Sequence, residues 1–354
     1  MATIKDVAAI AGISYTTVSH VLNRTRPVSE EVRKKVEAAI VQLDYVPSAV
    51  ARSLKAKATA TIGLLIPNGI NPYFAELARG IEDYCERNGF CVILCNSDDN
   101  PDKQRSYLRV LLEKRVDGLI VSSVGGGDSL VEGLSAVRTP LVIVDRDLDG
   151  VTADLVRIDH ELGAYLATSH LLSLGHRHIA CICGPAQTSV AKMRLAGYHR
   201  AMQEASVDVP ESWVVESDFT GPSGYLAAVK LLERDPPTAI FAANDMVGIG
   251  VLRAAAERNV RVPADLSVIG FDDIQMSQYV YPALTTVGQS ILQLGERAAE
   301  MLLRRISARG ETAVEHLVVA PSIVLRESTA PPPQVFTEFR EAERSARSEK
   351  CSEE

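Results

Sequence analysis

No apolar run in this 354-residue chain approaches the about 18–20 residues of a membrane-spanning helix. The N-terminus reads as a capped amphipathic helix rather than a signal peptide, so a soluble, cytoplasmic protein without a membrane partner is expected. Nucleotide-phosphate motifs are missing too: there is no GxxxxGK[ST] loop and no GxGxxG after a strand. Gly125-Gly126-Gly127 follows DGLIVSSV but lacks the lysine of a phosphate loop, and reads as a flexible connection. No Ser, His and Asp set stands in a nucleophile context. The chain is therefore not expected to be an enzyme, and no cofactor is expected.

Six cysteines are present, and their placement argues against a metal site. Cys91 and Cys95 lie in CVILCN, and Cys181 and Cys183 in HIACICG. Even spacing on a strand puts each pair on one face, as buried small hydrophobes. A metal would need ligand pairs converging on a loop; core thiols in a reducing compartment are the expectation.

What the chain does have is a charge asymmetry. The net charge is −8, yet residues 1–60 hold nine Lys/Arg against five Asp/Glu, a net of +4. The remainder carries −12. A small basic head on a large acidic body fits a DNA-contacting module carried by a domain that does not itself bind DNA. Hydrophobic residues make up 46% of the chain, enough for a substantial core.

The head begins with TIKDVAAIAGISYTTVSHVLN, residues 3–23. Thr3 is placed as an N-cap with Asp6 in the box position. Ile4, Val7, Ala8 and Ala11 share one helical face. Gly12 breaks the run, and Ser14 is placed to cap a second helix whose buried arc is Val18, Val21 and Leu22. The opposite arc carries Tyr15, Thr16, Thr17, Ser19 and His20, polar groups without a carboxylate that suit base edges or phosphates. The pattern predicts a helix-turn-helix. An ordinary helical hairpin with a polar face is the alternative. Ser29 caps a third helix with the stripe Val32, Val36, Ile40 and Leu43.

YVPSAVARSLKAKAT, residues 45–59, is short, small and basic, and an isolated helix of this length is marginal in water. It reads as a hinge that folds against DNA or a partner copy. Leu54, flanked by Arg52 and Lys55, suits a wedge between base steps in the minor groove; a linker leucine docked on the neighbouring domain is the other reading. From Thr61, apolar runs such as TIGLLIP, LVIVD, TAIFAAND and LSVIGFDD alternate with helical segments, which predicts parallel sheets covered on both faces. About 270 residues exceeds one such sheet, so two α/β lobes with a cleft between them are expected. From Ala330 the tail is rich in proline and charge, reads as disordered, and lacks the leucine heptads of a tetramerisation handle.

The head, PVSEEVRKKVEAAI and YVPSAVARSLK closely resemble LacI/GalR family transcriptional repressors. NPYFAEL, KRVDGLI, GHRHIACICGP, RLAGY, AANDMVGIG and VPADLSVIGFDDI continue the likeness over roughly residues 2–328. The resemblance implies an α/β architecture: a head at 1–46, a hinge at 47–60, a two-lobed periplasmic-binding-protein-like body at 61–328, and a tail at 329–354. It implies a homodimer on a palindromic double-stranded operator, controlled by a small effector in the cleft. It puts Tyr15, Thr16 and His20 where base-contacting residues sit and Leu54 where the intercalating hinge leucine sits; with Thr3, Thr17, Asn23, Ser48, Arg52 and Lys55 these make the expected DNA-contacting set. The head and hinge look closest to the ribose and purine repressors of the family.

Ligands of open α/β sheets bind beyond the carboxyl ends of the strands. Asn71, Tyr73 and Phe74 follow the first strand; Asp145 and Arg146 end LVIVD; Asn244 and Asp272 end two later strands. Carboxylates and amides beside an arginine satisfy sugar hydroxyls, and aromatic rings cover a sugar face. The family resemblance adds Arg194, Phe219 and Gln289 to this effector set. Plainer readings stand beside each: an Asp145–Arg146 salt bridge, Arg194 paired with Glu204 or Asp208, Phe219 as core beside Trp213, and Asp272 as a turn residue. A purine repressor's extra Arg and Thr contacts align with Thr188 and Val190. Val190 has no polar group, so the expected effector is ribose or another monosaccharide, and a purine is the alternative. A freestanding sugar-binding protein and an architectural DNA-binding protein are the readings from other classes.

Overall fold

The computed structural model describes residues 2–23, 25–46, 58–122, 128–135, 137–146, 150–234, 236–288, 290–308 and 313–333. The chain divides into two compact units, Met1–Thr59 and Ala60–Glu354.

In the first unit, α1 (Ile4–Ala11), α2 (Tyr15–Asn23) and α3 (Glu30–Gln42) follow one another. Val7, Val18 and Val36 are fully buried and pack with Ala8 and Ala39, one contribution from each apolar arc. Thr3 donates its backbone N–H and its hydroxyl to Asp6 Oδ2, both at 2.8 Å. Gly12 ends α1 at φ 66 with open space around its Cβ position, so the left-handed backbone rather than crowding calls for glycine there. Ser14 Oγ accepts from Thr17 N at 3.1 Å and starts α2, and Ser29 Oγ does the same for Val32 N at the start of α3.

The second unit holds two parallel sheets. The first lobe orders its strands β2 (Cys91–Asn96), β1 (Thr61–Ile66), β3 (Gly118–Val121), β4 (Leu141–Val144), β5 (Asp154–Ile158) and β11 (His316–Val319), all parallel. One face is covered by α4 (Pro72–Arg87) and α11 (Ile291–Ser307), the other by α5 (Pro101–Glu113) and α6 (Asp128–Ser135). The second lobe orders β7 (Val214–Glu216), β6 (Ile179–Cys183), β8 (Ala239–Ala242) and β9 (Ser267–Ile269), again parallel. It is covered by α7 (His160–Ser173) and α8 (Ser189–Glu204) on one face, and by α9 (Gly221–Arg234) and α10 (Asp245–Glu257) on the other. β10 (Thr286–Gly288) and β12 (Ser322–Val324) form a separate antiparallel pair. The chain therefore crosses between the lobes after β5, after β10 and after β11. Gly80 lets α4 approach α11 closely, since a Cβ there would lie 2.1 Å from the Leu292 carbonyl oxygen.

Two expectations need correction. Cys91 is exposed, not buried, because β2 is the edge strand of its sheet and also leaves Ile93 and Leu94 partly in solvent. Cys95, Cys181 and Cys183 are buried as expected. Thr329 and Ala330, assigned to the tail, belong to the body: Ala330 N donates to Ser267 Oγ at 3.0 Å, and the Ala330 carbonyl accepts from that hydroxyl at 2.9 Å. Residues 334–354 of the tail lie outside the described residues, as do Gly125, Gly126 and Gly127.

Candidate functional site

The polar face of α2 is displayed much as its periodicity dictates. Tyr15 is 61% exposed and Thr16 is exposed, so the Tyr15 ring and both hydroxyls can meet a groove. The neighbours are partly committed within the head. Thr17 shares a hydrogen bond with Ser14, His20 Nδ1 lies 2.7 Å from Thr25 Oγ1, and Asn23 Nδ2 donates to the Ser19 carbonyl at 2.9 Å. Ser48, Arg52, Leu54 and Lys55 lie outside the described residues.

In the body, nine of the ten effector-set residues line one cavity: Asn71, Tyr73, Phe74, Asp145, Arg146, Arg194, Phe219, Asn244 and Asp272. Gln289 lies outside the described residues. About 40 Å³ of the space between them is open to a water-sized molecule, so the cavity is narrow. Residues from the ends of β1, β4, β7, β8 and β9 converge, so both lobes contribute.

Local backbone geometry explains the convergence. Asp145, Phe219 and Asp272 have φ of 71, 67 and 114, strained values that turn the chain sharply at strand ends and aim these side chains into the cavity. Gly184 leaves the space Phe219 fills, since a Cβ there would lie 2.0 Å from its ring. Asn71 and Asn244 each cap a helix, accepting from Tyr73 N at 3.1 Å and from Val247 N at 2.9 Å. Asn244 Nδ2 also donates to the Phe219 carbonyl at 3.1 Å.

The charged groups form one buried network. Tyr73 Oη donates to Asp145 Oδ1 at 2.9 Å, and Arg146 Nε stands 3.6 Å from Asp145 Oδ2. Arg194 Nη2 donates to Asp272 Oδ1 at 2.9 Å, and its guanidinium stacks 3.7 Å over the Phe271 ring. Arg194 thus pairs with Asp272 rather than with Glu204 or Asp208. Burial pushes the Asp145 carboxyl up, but His160, Arg146 and Arg194 outweigh it and hold the group well below the usual carboxylate range. For Asp272 the balance is reversed: burial raises it to about 7, with Arg194 opposing and Asp145 adding to the rise. Arg146 Nε and Nη1 and Arg194 Nε are buried without a hydrogen-bond partner among the described residues.

Sequence reasoning missed Asn68, Asp99 and Asp218, which also line the cavity. Asn68 and Asp99 carried the same signal as the others, each closely following an apolar strand run, whereas Asp218 follows the short β7, which no apolar run marks. It also missed His160, buried beneath Asp145 and Arg194.

Two family profiles match: bacterial regulatory proteins of the lacI family over residues 3–48, and a periplasmic binding protein-like domain over residues 168–329. The chain is 45% identical to the HTH-type transcriptional repressor PurR of Proteus mirabilis, over 96% of its own length and 100% of the relative's. Among solved structures, it is similar to a lac repressor dimer bound to operator and the anti-inducer ONPF. That match has 31% identity and a TM-score of 0.83, over 93% of this chain and 99% of the other. A LacI family transcriptional regulator from Enterococcus faecium with bound ribose is 34% identical, with a TM-score of 0.69, over 77% of this chain and 99% of the other. The chain belongs to the lacI family of bacterial regulatory proteins, and is a DNA-binding transcriptional repressor rather than an enzyme.

Proposed function

We propose that this repressor acts as a homodimer in the cytoplasm, on a palindromic operator, with its DNA affinity set by a small molecule held in the body cavity. The observation that carries this is the pair of buried guanidinium groups. Arg146 and Arg194 line a cavity built from both lobes, and three of their donor nitrogens are buried without a partner among the described residues. Unpaired buried donors cost on the order of 1–3 kcal/mol each, so a ligand supplying acceptors is strongly favoured there. A ligand gripped by both lobes changes their relative arrangement. It alters DNA affinity by its differential binding to the two states, typically about 1–3 kcal/mol. On the family resemblance, residues 47–60 carry that change to the operator.

The similarity to PurR repressors along nearly the whole chain supports a purine as the effector more than it supports ribose. A purine offers carbonyl and ring-nitrogen acceptors to the arginines, N–H donors to the carboxylates, and a flat face to Phe74 and Phe219. The monosaccharide reading is kept on one specific observation. Val190 lines the cavity and is apolar, while the Thr188 hydroxyl donates to the Pro185 carbonyl and caps α8. The two positions aligned with a purine repressor's extra polar contacts are thus apolar or already engaged.

Thermal unfolding against hypoxanthine, guanine, ribose, other pentoses and hexoses separates the two. A ligand at about 100 times its Kd adds about 2.7 kcal/mol of stability. A shift with purine bases alone supports nucleotide-responsive control. A shift with ribose or another sugar alone makes the repressor a sensor of that sugar, and no shift with any of them removes both effector classes.

A further inference from the structure

His160 opens α7 directly after β5, at the first crossing between the lobes. It is fully buried, with its ring tilted against Phe271 at a centroid distance of 5.9 Å. It is not among the cavity-lining residues, yet it touches two of them. Its Nδ1 lies 3.3 Å from Arg194 Nη2. Its Nε2 lies 3.0 Å from the Asp145 backbone carbonyl oxygen and 3.4 Å from Asp145 Oδ1.

These contacts determine the tautomer. A guanidinium only donates, so Nδ1 must be the acceptor. The one proton of the neutral ring then sits on Nε2 and is donated to Asp145. Arg194 Nη2 uses one proton on His160 and the other on Asp272 Oδ1, while Nη1 donates to the Ala243 carbonyl. With its plane stacked on Phe271, the guanidinium is held from several sides, and only Nε is left without a partner among the described residues. A second ring proton would point at Arg194. Burial, and then Arg194, hold the imidazole below its ordinary pKa, with Asp145 pulling the other way.

We propose that His160 is the positioning residue of the cavity, a neutral imidazole that ties Asp145 of the first lobe to Arg194 of the second and fixes both for the effector. The inference rests on the effector-cavity reading above and names a determinant of affinity within it.

One test needs no effector. Long-range proton–nitrogen correlation spectra of the full chain, with the His160 signals assigned by their loss in His160→Asn, report the tautomer directly. The neutral Nε2–H form at about pH 7 is expected; an Nδ1–H form or an imidazolium overturns the proposal. The second test measures affinity for hypoxanthine and for ribose in the wild type, His160→Phe and His160→Asn, with operator binding as the check on folding. Phenylalanine fills the ring space without donating or accepting, and should weaken the probe that binds by about tenfold or more. Asparagine keeps an acceptor on the Arg194 side and should regain part of that loss. Unchanged affinity in His160→Phe, or equal loss in both variants, overturns the role. If the wild type binds neither probe, the effector classes proposed above fail, and the tautomer alone decides the role of His160.

Discussion

Tyr73 and Asp145, 72 residues apart in the chain, share a buried hydrogen bond of 2.9 Å that joins the start of α4 to the end of β4. Burial, and then the Asp145 charge, push the Tyr73 hydroxyl well above its ordinary pKa, so it stays protonated and donates. Asp145 is held ionised by His160, Arg146 and Arg194 against its burial. Tyr73→Phe removes one donor from a buried carboxylate, at a cost of about 1–3 kcal/mol. Chemical unfolding should show a lower midpoint, and effector affinity should fall as well. An unchanged midpoint would mean that the bond contributes nothing net.

Beside Asp245, which burial also raises to about 7, Asp272 should set the pH response. Its folded value of about 7 lies above the ordinary 3.8, chiefly through burial. Protonated Asp272 therefore favours the fold: its contribution is full below 3.8 and is lost as pH rises through about 7. Between about pH 5 and about pH 8, the melting temperature of Asp272→Asn should move upward relative to that of the wild type. Parallel pH profiles would contradict the raised value.

Asn244 does two jobs, capping α10 through Val247 N and steadying Phe219 through its carbonyl. Asn244→Ala should cost about 1 kcal/mol of stability through the lost cap and weaken effector binding. Asn244→Asp keeps the cap acceptor but sets a carboxylate oxygen against the Phe219 carbonyl in a buried site, so it should lose about 1–3 kcal/mol of stability and still bind effector poorly. Wild-type affinity in Asn244→Asp would show that the Phe219 contact is irrelevant to the ligand.

On the head, Tyr15 and Thr16 are exposed and outside the packed core. Tyr15→Ala and Thr16→Ala should leave the melting temperature unchanged and cost operator binding about 1–3 kcal/mol each. Leu54→Ala, on the family resemblance, should weaken operator binding with effector affinity unchanged. Wild-type operator binding should fall steeply with salt as phosphate contacts release counterions; a flat response would contradict the DNA-binding assignment of α2.

The cavity was legible because it is built at strand ends. Asp145, Asn244 and Asp272 directly terminate apolar runs, where open α/β sheets present their ligands. Arg194 and Phe219 gave no such signal, and came only from the family resemblance. His160 was illegible because its role depends on a contact with Arg194, 34 residues away, and nothing in the helical pattern of α7 marks it. Cys91 was misjudged because alternation along a strand tells which residues share a face, not whether the strand is an edge. The effector was the hardest part: the same arginines, carboxylates and aromatic rings serve a purine and a sugar alike.

The most direct test of the account is operator affinity, on DNA selected from random palindromes, measured with and without whichever base or sugar stabilises the protein. The account predicts a change of about 5–150-fold in the wild type. It predicts no change in Arg194→Ala, which should still bind the operator. A wild-type affinity indifferent to the bound ligand, or an Arg194→Ala variant that still responds at the wild-type ligand concentration, would contradict it.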